Sequence, residues 1–180
     1  MKDQFKKEIL KLKNSPFINQ KTLQLFLDRL NENSGLTRDE NPSSHFCNFF
    51  VPINYATKSI YLGNHIKAGG WIPPGGHIDH GELPSECAKR ECFEELQYEL
   101  IDKQIELFNL SIIHLNNPRH NCKTHYDFWY LIRTPKIDFR FDKKEFYEAD
   151  WFSLKDAYQK ILYPEFKVVM KKLLKFYPEI

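Results

Sequence analysis

A chain of 180 residues is long enough for one domain with a sizeable core and little more. It is 42% apolar and 28% charged, the mix of a folded protein, and a formal charge of +2 is too weak a field to hold a nucleic-acid polymer. No apolar run approaches the roughly 20 residues of a membrane span, the charged start Met1–Glu8 lacks a secretory apolar core, and Cys47, Cys87, Cys92 and Cys122 are too scattered for a disulfide scaffold, so a reduced, cytoplasmic protein is expected.

Residues 3–12 place Phe5, Ile9 and Leu12 on one face of a short amphipathic helix. Residues 20–31 repeat the pattern with Leu23, Phe26, Leu27 and Leu30, and Asn19 is available as a cap. Asn31 to Ser44, with Gly35 and Pro42, reads as a loop. The period then changes. His45–Ile53 and Lys58–Asn64 are aromatic and β-branched runs that read as strands joined by a turn at Asn54–Thr57. Trp71 to Gly76 is interrupted by Pro73, Pro74 and the two glycines, so no regular element is expected there. Pro84 suits the first turn of a helix running to about Leu96. Residues 106–115 and 124–133 read as two strands around a loop with Asn116, Asn117 and Pro118. A last strand near Ala149–Phe152 leads into Ser153-Leu154-Lys155-Asp156, a capping-box-like helix start. Pro164 opens a final helix whose apolar face is Phe166, Val169, Met170, Leu173 and Leu174. The order predicts a mixed sheet covered by helices, with residues 1–40 as a helical extension packed on a domain of residues 41–180.

The chemistry is concentrated between Gly76 and Glu95. Glu91, Glu94 and Glu95 share one face of a helix, where like charges repel unless a cation sits among them. A hard divalent ion with oxygen ligands, Mg²⁺ above all, is the natural partner. The Gly75-Gly76 pair allows close backbone approach and frees a carbonyl. Arg90 adjoins the acids and is placed to pair with Glu82.

Gly76-x5-Glu82-x7-Arg90-Glu91-Cys92-Phe93-Glu94-Glu95 resembles the Nudix box of the Nudix hydrolases. Trp71-Ile72-Pro73-Pro74-Gly75-Gly76-His77 upstream, and His125-Tyr126-Asp127 with Glu145, Glu148 and Trp151 downstream, resemble one bacterial branch of that family. Gln97 replaces the glycine that normally ends the box helix in an αL cap, and Cys92 stands at an apolar box position. The resemblance implies an α+β fold of the α/β/α sandwich type with a mixed sheet and extra terminal helices. It implies a pyrophosphohydrolase that uses Mg²⁺ or Mn²⁺ and acts on a small-molecule nucleoside diphosphate linked to a further group. Gly76, Glu91, Glu94 and Glu95 are then the expected metal ligands, with Glu145, ahead of Glu148, as the acid from outside the box. Glu91 is the expected base and Arg90 its catalytic neighbour.

His77, His125, Asp127 and Trp129 are the expected substrate contacts, although Trp129 suits a core equally well. His77 and His80 flank the box loop. His120-x-Cys122-x2-His125 has no fourth ligand at a zinc spacing and reads as ordinary core or surface residues. Two other functions share the fold. A silent binding module is disfavoured because no box glutamate is lost. An isomerase of the isopentenyl-diphosphate type is disfavoured because His45-Phe46-Cys47-Asn48 matches its reactive-cysteine strand poorly. The oligomeric state, a homodimer included, is open.

Overall fold

The structure, a computed structural model, describes residues 1–115, 121–135 and 137–177. Among them are five α-helices, α1 (Lys2–Leu10), α2 (Gln20–Asn31), α3 (Pro84–Leu96), α4 (Leu154–Lys160) and α5 (Pro164–Phe176). Seven strands form one mixed sheet: β1 (Ser44–Asn54), β2 (Ser59–His65), β3 (Gly70–Ile72), β4 (Gly75–His77), β5 (Ile105–His114), β6 (Thr124–Arg133) and β7 (Phe146–Ser153). The strand order is β3-β2-β1-β6-β5, with β4 paired to β1 and β7 to β2.

The local signals act as expected at most boundaries. Asn19 accepts the main-chain N–H groups of Lys21 and Thr22 and so starts α2. Ser153 accepts the Asp156 N–H and starts α4. The segment around Pro73 and Pro74 is a correction, since short strands bracket the prolines. β3 pairs with β2 through Asn64 and Trp71, and Pro74, which has no N–H to give, still accepts the Phe50 N–H at 2.9 Å. Leu174 is a second correction: it is 38% exposed, off the buried face of α5. The loop residues Asn116, Asn117 and Pro118 lie outside the described residues.

The chain forms two compact units. The first comprises Met1–Phe49, Gly76–Ala88 and Leu107–Tyr130. Its core is aromatic: Phe5 lies 5.4 Å from Phe46, and Phe26 lies 5.7 Å from Phe46 and 5.4 Å from Phe128, centroid to centroid. All four rings are fully buried, each worth about 1.5–3 kcal/mol over exposure. Buried Glu8 of α1 accepts hydrogen bonds from Tyr130 Oη and Ser85 Oγ, so α1 is fixed by polar as well as apolar contacts.

The second unit comprises Phe50–Gly75, Lys89–Glu106 and Leu131–Ile180. Here β7 pairs antiparallel with β2 from Ser59↔Ser153 to His65↔Phe146. α4 and α5 pack with Ala157, Val169, Met170 and Leu173 buried.

Candidate active site

The second unit gathers the acids. Glu95, in the last turn of α3, is only 4% exposed, and its Oε2 accepts the Gly75 N–H at 2.9 Å. Gly75 has φ 149°, a conformation closed to residues with a Cβ, so glycine is required for that donor to face the acid. Burial pushes the Glu95 carboxyl well above the usual carboxylate range. The charge of Glu91 adds to the rise, the Gly75 N–H opposes it, and Glu145 and Glu94 add further. The Arg90 guanidinium donates to Glu91 Oε1 at 2.9 Å and Glu94 Oε2 at 3.1 Å, fixing two acids that would otherwise repel.

Glu145 lies just before β7. Its carboxylate accepts from Lys67 Nζ at 2.8 Å and stands 3.7 Å from His65 Nε2, and its carbonyl accepts the Ile66 N–H. Burial lowers the His65 pKa, Glu145 opposing. Glu148 is exposed on β7 and accepts from Asn64 Nδ2 at 3.3 Å. Nothing in the spacing of Lys67 and His65 marks them as neighbours of an acid 78 and 80 positions on. The fit to a hard divalent cation rests on Glu95, a buried carboxyl whose ionised form is penalised by its neighbours. A cation among oxygen ligands removes that penalty.

α3 ends as an αL cap. Gln97 has φ 51°, and its N–H donates to the Phe93 carbonyl at 2.9 Å. Cys92 is fully buried, and burial, aided by Glu95, pushes its thiol up to about 12, so it acts as a small apolar group.

The first unit gathers imidazoles. His45 on β1, His77 on β4 and His125 on β6 have ring centroids 5.0, 4.9 and 5.4 Å apart pairwise. Cys122 Sγ lies 3.7 Å from His45 Nε2. Burial lowers the His125 pKa to about 4, and His45 adds to the effect. Asp127 is fully buried, burial raising its carboxyl to about 7 while the Ser111 hydroxyl, donating at 3.0 Å, opposes. Trp129 is also fully buried: it stacks on Phe49 at 4.9 Å and donates Nε1–H to Ser111 Oγ. A ring enclosed in this way is packing and presents no face to a base. His80 is exposed and lies 3.2 Å from Glu40 Oε1. His120 lies outside the described residues.

A mixed seven-stranded sheet, a box helix bearing Glu91, Glu94 and Glu95, and the glycine pair define a pyrophosphohydrolase of the Nudix type. The sequence pattern of the NUDIX domain matches residues 48–175, and the chain belongs to that family. Solved structures agree on the fold. The E. coli dihydroneopterin triphosphate pyrophosphohydrolase is 15% identical with TM-score 0.63 over 75% of this chain and 96% of its own. The MutT protein from Methanosarcina mazei Go1 is 17% identical with TM-score 0.60 over 76% and 95%. A C. elegans Ap4A hydrolase is 21% identical with TM-score 0.57 over 74% and 99%.

Proposed function

We propose that the chain hydrolyses a pyrophosphate bond in a nucleoside diphosphate linked to a further group, with Mg²⁺ or Mn²⁺ as cofactor. The observation that carries this reading is Glu95, a buried acid of α3 that accepts the Gly75 N–H and feels the charges of Glu91, Glu145 and Glu94. Glu91, Glu94 and Glu95 would hold the cation, and Glu145 is the acid from outside the box. A bound divalent ion neutralises diphosphate oxygens and acidifies a bound water. Glu91, 13% exposed and braced by Arg90, accepts the proton of the attacking water. Arg90 keeps Glu91 and Glu94 in place, and the Gly75 N–H aims Glu95. Two structural neighbours carry polyphosphate compounds, dihydroneopterin triphosphate and Ap4A, in their names, which supports a substrate of that chemistry.

The test is a panel of nucleoside diphosphate sugars, dinucleotides and nucleoside triphosphates with Mg²⁺ or Mn²⁺, read by phosphate release after phosphatase treatment. Turnover of a nucleoside diphosphate derivative that stops on chelation is expected. Release from none of the panel with either ion overturns the reading.

A further inference from the structure

We propose that His45, His77, Cys122 and His125 form a site for a Zn²⁺-class transition metal, a second metal site beyond the acidic box. One ligand atom from each of the four lies within 4.8 Å of every other. Three imidazoles and a thiol are the donors that Zn²⁺ prefers and that Mg²⁺, an oxygen seeker, does not. Bonds of about 2.0–2.3 Å in a tetrahedral site put neighbouring ligand atoms about 3.3–3.8 Å apart. His45 Nε2 and Cys122 Sγ, at 3.7 Å, already have that spacing, so closure needs movements of about an ångström elsewhere.

The protonation of His45 agrees. Its Nδ1 lies 2.9 Å from the Asn41 carbonyl, which can only accept, so the hydrogen is on Nδ1 and the lone pair on Nε2 faces the thiol. A ligand imidazole held through its other nitrogen by a carbonyl is the usual arrangement at metal sites. His125 Nε2 is buried and has no hydrogen-bond partner among the described residues, a cost that a metal bond removes. A surface depression lined by Arg38, Asp39, Pro42, Asn121 and Cys122 reaches the thiol and gives an ion a way in. Cys47 and Asp127 also lie within reach of His125, but both are fully enclosed and supply only a three-ligand set. The ion would join β1, β4 and the start of β6 with the segment just before it, three stretches distant in sequence. This assignment replaces substrate contact as the role of His77 and His125.

The experiment uses the full chain, reduced, stripped with chelator and titrated with Co²⁺ and then Zn²⁺. One tetrahedral Co²⁺ per chain is expected, apart from any ion held by the acids, with tetrahedral d–d absorption and a thiolate-to-cobalt charge-transfer band. Zn²⁺ should bleach both and raise the thermal midpoint, while excess Mg²⁺ should leave them unchanged. Cys122→Ser, at a half-exposed position, should lose the charge-transfer band and bind Zn²⁺ more weakly by at least about 100-fold, since loss of even an outer hydrogen-bond partner costs about 10–100-fold. His125→Gln, checked for native circular dichroism, should weaken Zn²⁺ similarly but keep a thiolate band at high Co²⁺. Failure of the wild-type chain to bind stoichiometric Co²⁺, or a charge-transfer band that survives Cys122→Ser, overturns the site.

Discussion

Glu95 of the second unit and His125 of the first are pushed toward their neutral forms by one physical cause acting on opposite chemistry. Burial disfavours charge, so it raises Glu95 and lowers His125. Their surroundings differ. Around the acids stand Arg90, at Glu91 and Glu94, and Lys67, at Glu145, so charge is compensated within reach and the cluster is suited to an incoming cation and anionic substrate. Around His125 stand the rings of His45 and His77 and the Cys122 thiol, nitrogen and sulfur donors that would meet a transition metal once the thiol gives up its proton. The lesson is that burial sets how hard a group is to ionise, and the neighbours set what the group is good for.

Glu95→Gln should show the largest effect. It removes a cation-facing charge while the Gly75 N–H can still donate to the amide oxygen, so activity should fall at least about 100-fold with the melting midpoint unchanged or slightly raised. A fully active variant would end the distinction between the two clusters, because the acid would then be structural.

Asp127→Asn tests the first unit, where stability rather than turnover should respond. The folded value of about 7 lies above the unfolded value near 3.9, so the folded chain keeps a proton that the unfolded chain has released. The stability from this group is full below about pH 4 and is lost as pH rises to about 7. The amide should therefore stabilise the metal-free protein by on the order of 4 kcal/mol above pH 7 and by little at pH 4, as read from urea midpoints. His125, depressed to about 4, has the other sign: its contribution is lost as pH falls from about 6.5 to about 4, and the variant should retain that acid-side loss. Equal stabilisation at both ends of the range would show that Asp127 is not the titrating group.

Glu145→Gln against Glu148→Gln sharpens the boundary of the acid cluster. Glu145 acts on Glu95, whereas Glu148 stands exposed beside Asn64, so turnover and metal requirement should shift about tenfold for the first and less than about twofold for the second. Similar effects from both would remove Glu145 from the site. The smallest effect belongs to Gln97→Gly. With φ 51° the side chain strains the cap, and glycine should add up to about 1 kcal/mol in a denaturation midpoint. Destabilisation would mean that α3 continues past Leu96.

The acid cluster was legible because one helix carries it. Glu91, Glu94 and Glu95 need only the 3.6-residue period to meet, and Pro84 and the αL cap at Gln97 mark the ends of that helix. The imidazole cluster was not. His45, His77, Cys122 and His125 meet through strand pairing that no local spacing encodes, so a search among near neighbours finds only Cys122 and His125. The same cause hid β3 and β4. Their sequence is full of strand breakers, and what makes them strands is the partner edge, with the Pro74 carbonyl as acceptor. Trp129 shows the converse ambiguity, a large aromatic suited to a ligand surface and to a core alike, which an inward strand position makes core.

The Glu95 carbonyl accepts the Asp142 N–H at 2.7 Å, and the Glu145 carbonyl accepts the Ile66 N–H at 2.8 Å. The acids from the helix and from the loop are therefore mounted on peptide groups that every amino acid possesses. Side chains between these anchors can drift through mutation without dislodging the frame, because the anchoring atoms are not encoded by residue identity. Such a mount is open to evolutionary retuning: a lineage can exchange the side chains of Lys67, Glu148 or the 137–144 stretch while the acids stay in register. Insertions between Asp142 and Glu145 are the change it would not survive.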